Sequence, residues 1–500
     1  MKSLFGVRQG SNSWLLYAGA ALYVLTFLAL YPRTFAIVDE DAYLTQTFLF
    51  RAGRLSYDGS GIPAPHMTVE TAGREVSKYP PGNALFLLPF TLLGWRAVFV
   101  SGLVFALAGT VFFRLILKRL APEADPAWSL LYLFYPAVVL FSRTIMSDLL
   151  AATLVLAAFY CLLRSGAGAR ASTDGRGRVR MALVSGLVLG FACLVRYSNA
   201  VFVPVFLALL ARPAGVGRTN SEAHGRTGTG RAMLLFVTGV APLAVVILAY
   251  NAYAYGAPFS FPMYLTGHFS PAYFFHNAWY YGTCLLVLYP LMLFTPLTAG
   301  KGLRLALGLP AGALLVLYCF FSYTYDVPNL PARLTVGIRY LLPALPFFIL
   351  AFVVTADRLT RRLRGTGWLK YVALAAMALL SVAIQLRHDR YLRIQTQYQR
   401  LVRVNVPDSA LLLCNKDVSE LVSYAWGWRE YRHISEFNVP VQLDSELAGD
   451  RPLYAALVEK PGQENMVETT LFEALLARFP NRASIVETLK PWRFRLYRLR

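Results

Sequence analysis

Long apolar runs separated by short, arginine-rich loops recur from Trp14 to Leu386, and they restrict this chain more than any other feature. A nearly uncharged run of about 20 residues closes its own backbone hydrogen bonds as a helix and matches the thickness of a bilayer's hydrocarbon core. Composition agrees. Of 500 residues, 56% are hydrophobic and 15% charged, and the mean hydropathy is +0.48, well outside the range of ordinary soluble domains. The expectation is a polytopic α-helical membrane protein of about eleven spans.

The formal charge of +21 would suit a nucleic acid if it were gathered on one face. Instead it is dealt out in short loops, at Lys118 and Arg119, at Arg164 to Arg180, at Arg212 to Arg231 and at Arg358 to Lys370. That is the positive-inside pattern of cytoplasmic loops, so membrane lipid is the expected neighbour and nucleic acid is not. The segment Tyr255 to Gly282 holds neither lysine nor arginine, which marks it as an outer loop. Lys2 and Arg8 precede the first run with no cleavage pattern after it, so the N-terminus is expected in the cytoplasm of a cell bounded by its inner (plasma) membrane. Four of the five cysteines lie in apolar runs, and no disulfide framework or zinc spacing follows.

Two domains are expected. Residues 1–386 form the membrane domain, with a long first outer loop over 33–82. Residues 387–500 change period: Ala410 to Cys414 and Leu453 to Val458 read as buried strands, Val467 to Phe479 as a helix, and Ser484 to Leu489 and Arg493 to Leu499 as alternating strands. An odd number of spans would place this small α/β domain outside the cell. Within the membrane domain the expected spans include Trp128 to Phe141, Leu285 to Leu297 and Tyr340 to Thr355, and Asn83 to Leu93 is too short to cross alone.

The first outer loop concentrates chemistry. Asp39, Glu40 and Asp41 stand together where a helix could begin, with Asp39 as its N-cap and Gly53 at its end. Three acids beside a bilayer are costly facing lipid and belong in a water-filled cavity, where one can serve as a general base or as a ligand for a divalent metal. Lys78 and Tyr79 precede the Pro80-Pro81-Gly82 turn. Arg143 and Asp148 bracket a short outer turn in which an ion pair between them is one expectation, and Arg196 and Arg339, the latter followed by Tyr340, sit at further outer ends. Three arginines and a lysine on the side of three carboxylates suggest an anionic head group with a base beside it. No histidine pair has metal-ligand spacing, and no nucleotide-binding or serine-hydrolase fingerprint is present.

The segments Asp39-Glu40-Asp41-Ala42-Tyr43, Ala52-Gly53-Arg54-Leu55, Ser77-Lys78-Tyr79-Pro80-Pro81-Gly82 and Arg339-Tyr340-Leu341-Leu342-Pro343 resemble, in their order, the GT-C membrane glycosyltransferases. Within that superfamily the chain is similar to the branch of protein mannosyltransferases and bacterial aminoarabinose transferases. The resemblance implies a polyprenyl-phosphate-linked sugar as donor and a glycan, lipid or protein as acceptor. It also implies an acid of the first outer loop, here Asp39, as base, with Glu40 and Asp41 beside it, and Lys78, Arg143, Arg196 and Arg339 near the lipid phosphate, with transfer inverting the anomeric carbon. It implies no firm cofactor. A flippase or transporter for lipid-linked sugars is the competing reading, but transporter sites lie near the midplane in broken helices, whereas these ionisable residues gather at one face. A receptor using the tail as its sensor would leave the long first loop unexplained.

Overall fold

The computed structural model describes residues 13–65, 67–71, 73–165, 175–211, 222–261, 268–289, 292–295, 301–322, 330–363, 366–419, 421–422, 425, 427, 429–434, 451–460 and 466–500. Most of the two arginine-rich loops, at 166–174 and 212–221, lies outside the described residues. The chain divides into two compact units, one of Met1–Tyr31 with Val69–Arg387, the other of Pro32–Thr68 with His388–Arg500.

Apart from a short strand pair at its boundary, β1 (Thr68–Thr71) with β2 (Arg74–Ser77), the first unit is helical. Its elements are α1 (Ser13–Ala29), α3 (Pro81–Thr91), α4 (Val100–Leu120), α5 (Leu130–Leu133), α6 (Pro136–Phe141), α7 (Ser147–Arg164), α8 (Gly175–Val195), α9 (Phe202–Leu210), α10 (Glu222–Tyr255), α11 (Phe274–Leu288), α12 (Lys301–Cys319), α13 (Leu330–Leu334) and α14 (Leu345–Arg362); α2 (Val38–Arg51) belongs to the second unit. Helices α8 and α10 cross with almost no side chain between them. A Cβ at Gly186 would stand 2.0 Å from the Phe236 carbonyl oxygen, and one at Gly239 would stand 2.3 Å from that of Leu183, the small-residue contact by which membrane helices approach closely.

By length and composition, five helices among the described residues can cross a membrane, or six if the segments Ala332–Leu341 and Leu345–Arg362, bent by 110°, form one span. The eleven expected spans are therefore not matched by length. Ser13–Ala29, Val179–Val195 and Tyr197–Leu210 are apolar but shorter, and the expected run Trp128 to Phe141 is broken. It folds as a 3₁₀ turn Pro126–Ser129 followed by α5 and α6, because Pro136 has no amide proton to continue the ladder and starts a new helix instead. The expected span Leu285 to Leu297 lies earlier in the sequence, as α11, and ends at Leu288 with Tyr289 in an extended conformation. Residues 340–355 do not form one helix: Arg339–Leu341 is a 3₁₀ turn, and the helix starts after Pro343, at Leu345.

Helix α15 (Trp368–Asn405) has 38 residues, about 57 Å at the helical rise. It contains neither glycine nor proline, so nothing stops it at Leu386, where composition turns polar, and it continues into the second unit. There it covers one face of a five-stranded sheet whose strands are β3 (Leu411–Cys414), β4 (Glu430–His433), β5 (Leu453–Glu459), β6 (Ala483–Thr488) and β7 (Arg493–Arg498), in the order β4-β3-β5-β7-β6. Strands β4, β3 and β5 are parallel, and β7 and β6 continue antiparallel. Leu412, Cys414, Tyr454, Ala456, Val458, Phe494 and Leu496 pack on Tyr398 and Val402 of α15 and on Val406 just past its end. The alternate residues Leu411, Leu413, Leu453, Ala455 and Leu457 pack on Phe472, Leu475 and Leu476 of the helix Met466–Ala477. The two-residue period of a strand thus feeds both layers. Strand β4 was not expected, since Glu430-Tyr431-Arg432-His433 has no apolar alternation.

Candidate functional site

The acids and the cations belong to different units, and each set has its own geometry.

In the second unit, Asp39, Glu40 and Asp41 occupy the first turn of α2, where the helix dipole favours negative charge. The N-cap is Ile37, not Asp39: Ile37 is extended at φ −142° and ψ 159°. No side chain caps the helix; Glu40 Oε1 instead accepts the amide of Ala36, the residue before the N-cap, at 2.8 Å. Glu40 is 1% exposed and Asp41 8%, while Asp39 is half-buried. The Tyr391 hydroxyl of α15 donates to the Ala36 carbonyl at 3.4 Å and ties the same turn from a second side. Gly53 follows the helix at φ +69°, a left-handed position that suits glycine. Among the described residues no group of three or more His, Cys, Asp or Glu side chains is arranged to hold a metal ion.

In the first unit, the Lys78–Gly82 turn is locked into the helices. The Tyr255 hydroxyl donates to the Ser77 carbonyl at 3.0 Å, the Tyr79 amide donates to Ser77 Oγ at 3.2 Å, and Lys78 Nζ lies 5.4 Å from the centre of the Tyr79 ring. A Cβ at Gly82 would stand 2.5 Å from the backbone of Leu194 and Val195, so only glycine lets this turn rest on the end of α8. Asn83 Nδ2 donates to the Ile145 carbonyl at 3.0 Å. The turn is thereby fixed to the bend that carries Arg143 and Asp148 and to the segment just before Arg196.

Asp148 has a fully buried side chain and is ion-paired with Arg196. A buried carboxylate persists only with such a partner. Arg196 can reach it because α8 stops at Val195 and Arg196 is extended, at φ −147°. The Arg196 guanidinium lies 5.5 Å, and that of Arg339 5.1 Å, from the centre of the Tyr340 ring. Tyr340 stacks on Tyr318 at 5.2 Å and 27°, and the Tyr318 hydroxyl donates to Ser198 Oγ at 3.0 Å. Two arginines from sequence-distant segments therefore meet on one aromatic ring, with a buried acid holding one of them. Arg143, 1% exposed, sends Nη2 to the Leu30 carbonyl at 2.6 Å, just past the end of α1, where helix carbonyls lack partners.

Of the residues singled out from sequence, Arg196, Asp148, Arg339 and Tyr340 thus form one cluster, and Lys78 and Tyr79 lie on a turn pinned beside it. Tyr318, Ser198 and Asn83 went unnoticed. Tyr318 lies in the aromatic run Tyr318 to Phe321, and nothing in that run indicates which ring faces Tyr340.

In fold the chain is similar to two sets of solved structures. Crystal structures of ArnT from Cupriavidus metallidurans match it over 98% of this chain. The apo structure aligns with TM-score 0.59 and 14% identity over 98% of that chain, and the structure bound to undecaprenyl phosphate with 0.61 and 12% over 99%. The Archaeoglobus fulgidus oligosaccharyltransferase in complex with Zn and sulfate matches 89% of this chain and 67% of its own, with TM-score 0.55 and 10% identity. No protein-family model and no curated protein matches the sequence.

Proposed function

We propose that this protein is an integral-membrane glycosyltransferase that moves a sugar from a polyprenyl-phosphate donor to a hydroxyl-bearing acceptor, with inversion, on the outer face of the inner membrane. The observation that carries the reading is the match over nearly the whole chain to a structure solved with undecaprenyl phosphate bound. The cluster of Arg196 and Arg339 on Tyr340 supports it, because it is a prepared position for an anion.

Asp39 takes the acceptor hydroxyl proton as that oxygen attacks the anomeric carbon. Its half-buried position favours this role over Glu40, which is buried and whose carboxylate accepts the Ala36 amide. Arg196 and Arg339, with Lys78 and Arg143, offset the charge that grows on the phosphate as the glycosidic bond breaks. Asp148 keeps the Arg196 guanidinium oriented. A phosphate leaving group needs little protonation, so a single carboxylate base suffices, unlike the paired acids of glycosidases.

The test uses purified full-length protein in lipid nanodiscs with a panel of polyprenyl-phosphate hexoses and pentoses and mixed acceptors. Asp39→Asn is expected to lower transfer by about 100-fold or more while leaving binding of bare undecaprenyl phosphate intact. Arg196→Ala is expected to weaken that binding. A wild-type protein that binds no polyprenyl phosphate, or an Asp39→Asn protein as fast as wild type, would overturn the assignment.

A further inference from the structure

One end of the second unit carries exposed apolar side chains that neither its sheet core nor the proposed chemistry uses. The direction of the strands locates that end. The Trp492 ring lies 5.5 Å from that of Tyr391 and 5.3 Å from that of Tyr398, and the Phe494 ring lies 5.3 Å from that of Tyr398, so β7 runs the same way as α15. Strand β7 therefore begins where α15 enters the unit, and β5, antiparallel to it, ends there. Lys460, just past β5, agrees: its Nζ stands 5.2 Å from the centre of the Trp492 ring and 5.9 Å from that of Tyr391. It also pairs with Asp417 at 2.8 Å, which brings the segment after β3 to the same end.

Apolar residues and lysines gather here. Leu489, 72% exposed, stands in the turn from β6 to β7. The helix Met466–Ala477 joins β5 to β6, which run in the same direction, so it starts at this end, with Met466 82% and Val467 66% exposed. Lys416, next to Asp417, and Lys490, next to Leu489, are exposed as well. Single apolar residues scattered over a surface need no explanation. Three brought to one end by two separate connections, with cations among them, make a patch suited to an amphipathic, negatively charged partner.

The bilayer lies close to that end. Helix α15 is long and apolar enough to cross a membrane, and its apolar stretch closes at Leu386, before Arg387, His388, Asp389 and Arg390. Tyr391 follows Leu386 by about 7.5 Å at the helical rise, and the headgroup layer of a bilayer is itself about 5–8 Å deep.

We propose that this end of the second unit rests on the leaflet from which α15 emerges, with Met466, Val467 and Leu489 entering the headgroup layer and Lys416 and Lys490 meeting the phosphates of anionic lipid. The inference rests on the membrane course of α15 and not on the transfer chemistry. A headgroup layer is hydrated, so a thiol in place of Leu489 stays within reach of water-soluble reagents on that side.

The test uses full-length protein in nanodiscs of phosphatidylcholine alone or mixed with phosphatidylglycerol, with and without a lipid that carries a nitroxide on its headgroup. Val467→Cys and Leu489→Cys are labelled with a fluorophore, the signal of the unsubstituted protein being subtracted. Val404→Cys is the reference, at a residue 76% exposed and about 27 Å beyond Leu386 along α15. The expected result is quenching by the nitroxide that is severalfold stronger at the first two positions than at the third. Phosphatidylglycerol should strengthen it, and Lys416→Glu combined with Lys490→Glu should remove that increase. Quenching at Val467→Cys and Leu489→Cys no stronger than at Val404→Cys would overturn the contact, and quenching indifferent to phosphatidylglycerol would overturn the role of the lysines. Excimer emission from pyrene at Leu489→Cys in nanodiscs holding two chains, without quenching by lipid, would overturn the bilayer as occupant and assign the patch to a second copy. Sugar transfer enters none of these readings, so a failure of the glycosyltransferase assignment is seen separately.

Discussion

Asp148 has a fully buried side chain and Arg196 opposite it is 13% exposed, so removing the acid leaves a guanidinium in poor solvent with its closest charge gone. Breaking such a pair from one side costs about 3–5 kcal/mol, whereas replacing both partners with apolar groups is often nearly neutral. Asp148→Ala is therefore expected to lower the unfolding free energy by about 3 kcal/mol. Asp148→Leu combined with Arg196→Leu should cost much less than the sum of the single changes, as read by a double-mutant cycle of unfolding. Additive costs would show that the two side chains are held independently. At this scale the sequence was only partly legible. The residue types at the outer ends were visible, but Asp148 could equally have paired with Arg143 five residues away as with Arg196 forty-eight away. Only the extended backbone at Arg196, which ends α8 and frees the side chain, settles the ion pair that forms. Likewise Asp39 does not cap the helix, because the N-cap is Ile37, two residues before the point where composition suggested one.

Helix placement was legible where propensity and hydropathy agree, as in α4, α7, α10 and α12. It failed where proline or a 3₁₀ turn divides an apolar run, as at Pro136 and before Leu345. The loss is physical: a hydropathy window sums side chains, whereas a helix is stopped by one missing amide proton. The hairpin of Thr68–Thr71 with Arg74–Ser77 escaped for the opposite reason, being short and polar enough to read as loop. Packing between elements leaves no trace in hydropathy either. Gly186 and Gly239 permit the α8–α10 crossing, and Gly186→Leu is expected to destabilise by about 1–3 kcal/mol, because the backbone it meets cannot move aside as a side chain would. Gly312, inside α12 with nothing within 4 Å of its would-be Cβ, is the contrasting site. Gly312→Ala should stabilise by about 0.5–1 kcal/mol through helix propensity. Thermal unfolding of the two variants in one detergent checks both signs, and equal effects would remove the crossing as the cause.

Residues 32–68 and the tail from His388 onward form a single compact unit, so the acidic turn and the α/β sheet must share one side of the bilayer. Charge sets the expected side. Helix α4 ends in Lys118 and Arg119, α7 in Arg164, and α14 in Arg361 and Arg362, and lysine and arginine are retained on the cytoplasmic side. The second unit is then expected outside the cytoplasm, where a lipid-linked sugar would meet its acceptor. The native cysteines leave room for a direct measurement, since Cys193, Cys284, Cys319 and Cys414 are buried and Cys161 is partly so. Leu489→Cys, at a residue 72% exposed, should react with a membrane-impermeant maleimide in intact cells. Lys118→Cys, also exposed, should react only after permeabilisation. If the two variants exchanged behaviour, the acidic turn would lie on the cytoplasmic side, and the donor and acceptor would have to be sought there.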